Sequence, residues 1–140
     1  MKSVIRTLLF ATILTCFLSA SCKVQAQDSA AIEGIWKGTS ICHQKNSPCH
    51  DEVVVYHISK AAAAGVYTIL ANKIVNGVEE EMGTLDFVYD AAKQTLTCHM
   101  TDKQQRKSIW LFYINGNKIT GTLRLEKDNK LYRKIEVTKQ

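Results

Sequence analysis

What this chain lacks narrows it before anything it contains. There is no glycine-rich nucleotide loop, no complete catalytic signature, no His-x-x-x-His and no Cys-x-x-Cys, so nucleotide chemistry and the common spaced metal sites have no support. No stretch has the length and period of an amphipathic helix able to cover a sheet, which argues against layered α/β architectures. No internal repeat is present, and proline occurs once, at Pro48. Clustered positive charge is missing too. The basic residues are scattered, as on a solvated surface rather than along a phosphate-tracking groove, so nucleic acid is not an expected partner.

What is there begins with Lys2 and Arg6 ahead of an apolar run at residues 7–20, which is of export-signal length rather than membrane-spanning length. Residues 1–26 read as a signal peptide, with cleavage after Val24-Gln25-Ala26. A second outcome stays open, because Leu18-Ser-Ala-Ser-Cys22 resembles a lipoprotein box whose aliphatic residue sits one position early. A lipid on Cys22 would be the only link to a membrane. Either route places the folded part outside the cytoplasm, periplasmic, secreted or anchored. Losing Lys2, Arg6 and Lys23 from the 18 basic residues leaves 15 against 13 acidic ones, and 114 of the 140 residues remain. That is one domain with a modest core. Residues 27–33 form a short linker and 34–140 the domain.

The domain reads as short β segments at 35–43, 52–59, 66–75, 81–89, 95–100, 108–114, 118–126 and 131–138, separated by turn residues. Asn76-Gly77 is the strongest hairpin signal, since both residues tolerate positive φ. Residues 60–65 hold four alanines, too few to nucleate a helix, and read as a loop with at most one helical turn. Alternation puts Leu96, Cys98 and Met100 on one face, and Trp110, Phe112 and Ile114 on another. About eight strands joined by tight turns predict an all-β fold, a single antiparallel up-and-down barrel whose closure removes exposed edges.

The stretch from Gly34 to Glu52 is the densest in chemistry. Cys42 and Cys49 flank a short polar loop, and in an exported chain they are expected to pair, leaving Cys98 as a buried inert thiol. Pairing of Cys98 with either one is the alternative. His43, His50, Asp51, Glu52, His57 and His99 are metal or acid–base donors by type, but their spacing matches no ligand pattern and no nucleophile accompanies them. They read as surface or rim residues, with Asp51 and Glu52 expected to bond amides of the cysteine loop. No metal, cofactor or catalytic residue is expected.

Gly34-Ile35-Trp36 at the entry to the first strand, with the lone Arg133 in the last, resembles the lipocalin-like barrels. The resemblance implies a tryptophan closing one barrel end with the arginine across its ring, and a small apolar ligand or lipid inside. Trp36, Tyr67, Phe87, Trp110, Phe112 and Leu123 are then the candidate cavity residues, with Arg133, Cys42 and Cys49 structural. Sequence leaves open whether an eight-stranded interior is hollow or filled. A filled one would favour an envelope interaction or inhibitor module that presents the Cys42–Cys49 loop to a protein partner.

Overall fold

The computed structural model describes residues 31–140. The expected signal peptide, Cys22 and the first part of the expected linker lie outside the described residues. Eight strands follow one another: β1 (Gly34–Cys42), β2 (Glu52–Lys60), β3 (Val66–Val75), β4 (Val78–Asp90), β5 (Thr95–Thr101), β6 (Lys107–Asn115), β7 (Lys118–Leu125) and β8 (Leu131–Lys139). Each pairs antiparallel with the next, and β8 closes on β1, giving an all-β up-and-down barrel. No α-helix occurs among the described residues, and the 60–65 connection is a bend and turn with no helical turn.

Side chains alternate between interior and solvent as the pleat requires. On β6 and β7 the paired residues Trp110 and Leu123, Phe112 and Gly121, and Ile114 and Ile119 share the interior face. Gly121 is glycine for a steric reason: a Cβ there would collide with Phe112 Cδ1 and lie 2.9 Å from Leu111 O. Asn76 and Gly77 take φ of 51° and 83°, the paired positive values a tight hairpin needs. β4 begins at Val78, three residues earlier than the charge of Glu79, Glu80 and Glu81 suggested. All three are exposed and paired to β3, and on this outer surface Glu79 meets His57 and Asn72 while Glu80 meets Lys73.

One end of the barrel is packed solid. Ile32, Trp36, Ile119, Ile135 and Val137 are at most 1% exposed there. Trp36 donates its Nε1–H to Ile32 O at 2.9 Å, and the Lys139 ammonium lies 5.7 Å from the centre of its ring. The expected Arg133 partner is therefore corrected. Register places Lys139 opposite Trp36, whereas Arg133 lies opposite Cys42 near the other end of β1. The cation–indole contact exists, made by a lysine six residues later.

Above this end sits an aromatic layer. Phe112 stacks on Phe87 at 5.1 Å and on Tyr56 at 5.8 Å, and meets Trp110 edge-on at 5.8 Å. Two interruptions shape the opposite end. The β3–β4 register shifts between Ala71 and Asn72, leaving Met82 as an extra residue beside Gly83 (φ +148°), and the β7–β8 register shifts between Leu123 and Arg124. Bulges of this kind bend a strand and re-aim side chains at barrel rims. The β4–β5 ladder is also short, with three pairs from Val88–Thr97 to Asp90–Thr95.

Candidate functional site

The bulges and the short ladder surround a chamber of about 310 Å³ at the barrel end that carries the Cys42–Cys49 loop. Its apolar lining comes from Trp110, Leu85, Ala71, Met82 and Met100, and Met82–Leu85 with Met100 border the seam where β4 and β5 cease to pair. The aromatic layer is the floor. A void of about 30 Å³ among Tyr56, Phe87, Trp110 and Phe112 lies within it, room for little more than a water-sized group.

The polar wall is built by β1, β2 and β8. Arg133 Nη1 reaches Glu52 Oε2 at 3.1 Å, Ser40 Oγ at 3.0 Å and Ser40 O at 3.3 Å. Both charged side chains are largely buried, 14% and 13% exposed, so each lowers the cost of sequestering the other. Tyr56 sits beside them. Burial raises its phenol well above the usual tyrosine range; Arg133 pulls it back and Glu52 adds to the rise. The phenol is thus a neutral hydroxyl throughout the ordinary pH range. Trp110 spends its indole N–H on the thioether of Met100 at 3.2 Å, a weak acceptor.

Among the residues expected in a cavity, the structure brings Trp110 to the chamber and Phe87 and Phe112 to its floor. Trp36 and Tyr67 lie instead in the packed core. Leu123 lines a smaller crevice of about 130 Å³ next to Tyr132 and Met100. A larger crevice of about 620 Å³ runs between residues 105–107 and 125–128, but charged side chains of both signs dominate it and it is a groove between loops. The chamber is the site with an apolar interior and convergent polar groups, the usual character of a small-molecule pocket.

Cys42 and Cys49 are joined, with Cα atoms 6.0 Å apart, and Cys98 is free and buried. Burial pushes the Cys98 thiol up, with Asp86 adding to the effect. A disulfide fits an oxidising, extracytoplasmic setting. Asp51 accepts from the Cys42 amide at 2.8 Å, as expected of it. Glu52 bonds no amide of that loop; its Oε2 turns inward to Arg133 at 3.1 Å, while its Oε1 lies 3.8 Å from Nε2 of the exposed His50. His57 lies 2.7 Å from Glu79 Oε2 and His99 2.7 Å from Glu126 Oε1, both on the outer surface. Among the described residues no three histidine, cysteine or acidic side chains gather as a metal site would need.

Against family models and against curated proteins, the chain matches none. The site therefore stands on its own geometry. Sequence reading missed Ser40, Glu52 and Tyr56 as lining residues, although parity was a usable signal. Ser40 shares the face of Trp36, and Glu52 that of Val54 and Tyr56, so a hydroxyl and a carboxylate sit on faces otherwise directed at the core.

Proposed function

We propose that this chain is an extracytoplasmic, lipocalin-like carrier that binds one small, mainly apolar ligand in the chamber under the disulfide-closed loop, without catalysis. The observation that carries this reading is the half-filled interior: packed side chains occupy one end and the aromatic layer, yet about 310 Å³ above it is lined by Trp110, Leu85, Ala71 and two methionines. An unfilled space of that kind costs packing energy unless something occupies it. Methionines suit the role because their flexible thioethers adapt to an irregular guest. Export, and lipidation at Cys22 or cleavage after Ala26, belong to the same proposal.

The test is saturable change in tryptophan emission when the protein meets a library of apolar compounds. Trp36 is sealed in the packed end, so Trp110 should carry the response, and Trp110→Ala should remove both signal and binding while the fold persists. No response across the library would refute the carrier reading. It would favour the interaction module, for which the structure offers a covalently closed loop tied down by Asp51 and by Gln44 Nε2 donating to Leu131 O at 2.7 Å.

A further inference from the structure

We infer that Glu52 sets the ligand class of this chamber, making it select compounds with an uncharged hydrogen-bond-accepting head, such as an amide, ester, lactone or ketone, over carboxylates of the same shape. The inference rests on the carrier reading and deepens it.

Among the described residues Arg133 is the single cation lining the chamber, and an unpaired arginine there would be a carboxylate receptor. It is not unpaired. Glu52 holds its Nη1 at 3.1 Å and Ser40 completes that nitrogen's contacts. A ligand carboxylate approaching the guanidinium would share it with Glu52 and bring a second negative charge within a few ångströms of the first. In a partly dry chamber such repulsion is screened far less than in water. A neutral acceptor meets no such opposition.

The donors for a neutral head are present. Arg133 lines the chamber, and its Nε and Nη2 carry N–H groups beyond those on the Nη1 that Glu52 and Ser40 engage. The Trp110 indole N–H, held only by a thioether, would gain by exchanging it for a carbonyl oxygen. Tyr56 can donate from the same wall. Several donors thus converge with no net positive charge, which is complementary to a carbonyl and not to an anion.

The experiment uses matched pairs: octanoic, decanoic and dodecanoic acids against their primary amides, and 3-phenylpropanoic acid against 3-phenylpropanamide. Binding is read from Trp110 emission and by calorimetry at pH 7.5, where the acids are ionised. The amides should bind on the order of tenfold more tightly than their acids to the wild-type protein. Glu52→Gln frees the positive charge of Arg133 and should reverse the preference or bring it within threefold. Where circular dichroism shows that Glu52→Gln does not fold, Glu52→Ser replaces it as a second neutral variant. A wild-type preference below threefold, tighter binding of the acids, or a preference that the position-52 variants leave intact would overturn the inference while the carrier reading stands. No binding by any member of the pairs would overturn both.

Discussion

Adding one methyl group at Gly121 probes the floor of the chamber directly. The new Cβ would collide with Phe112 Cδ1, lie 2.8 Å from Cε1 and 2.9 Å from Leu111 O, and only the ring can give way. Phe112 is 2% exposed and contacts three other aromatic rings, so its displacement disturbs the whole layer. Overpacking of this kind costs about 1–3 kcal/mol. The void of about 30 Å³ beside the ring offers partial relief, which favours the lower half of that range. For a domain near this size, Gly121→Ala should then lower Tm by roughly 5–15 °C. Phe112→Leu alone should cost about 1–2 kcal/mol by leaving space unfilled. Combined, the two changes should cost at least about 1 kcal/mol less than their sum, because the smaller side chain removes the collision with the ring and leaves only the contact with Leu111 O. Urea melts followed by circular dichroism measure all three variants. Strict additivity, or a Gly121→Ala variant as stable as wild type, would refute the account of a ring wedged against a glycine.

Further tests address other parts of the molecule. Trp36→Ala should cost about 3–5 kcal/mol, since it empties a fully buried site and orphans Ile32 O; a chemical melt within about 1 kcal/mol of wild type would contradict that packing. Replacing Cys42 and Cys49 together by serine should cost about 2–3 kcal/mol in the chain-entropy account, with Cys98 unreactive to a thiol reagent until denaturant is added. Stability should also fall in acid. The His57 contact holds Glu79 below its ordinary value of 4.5, the Lys93 amide lowers Asp90, the Arg106 amide lowers Asp102, and Lys118 lowers Glu136. Each group binds its proton more weakly folded than unfolded, so its contribution is complete above the ordinary carboxylate range and lost as pH drops through the depressed values. Urea midpoints at pH 7, 4 and 3 should decline in that order, and Glu79→Gln should decline less steeply.

Much of the architecture was legible because it depends on local signals. Val66–Val75 coincided with its expected bounds, Asn76-Gly77 turned as its φ preferences demand, and alternation sorted Cys98, Trp110 and Phe112 to the interior. The start of β4 was not legible, because Glu79–Glu81 are as acceptable on the outside of a strand as in a loop. The partner of Trp36 was not legible either. Which β8 cation meets it depends on the stagger between β8 and β1, and local periodicity carries no information about stagger. Cys42–Cys49 was the favoured pairing on the short loop and the export reading together, whereas the chamber depends on summed side-chain volumes and on bulges at Ala71–Asn72 and Leu123–Arg124 that no motif announces.

The short β4–β5 ladder has a cost in crowded solution. From Val78 to Phe87, β4 is paired only to β3, so part of its backbone is available to another chain, and strands in that condition recruit copies of themselves. Glu79, Glu80 and Glu81 lie on that stretch and are exposed. Two molecules meeting there edge to edge would bring six carboxylates together, those of Glu79 and Glu80 partly offset by His57 and Lys73. The acidic run thus acts as a gatekeeper against fibril-type association, and concentrated protein in acid should self-associate through this strand before any other.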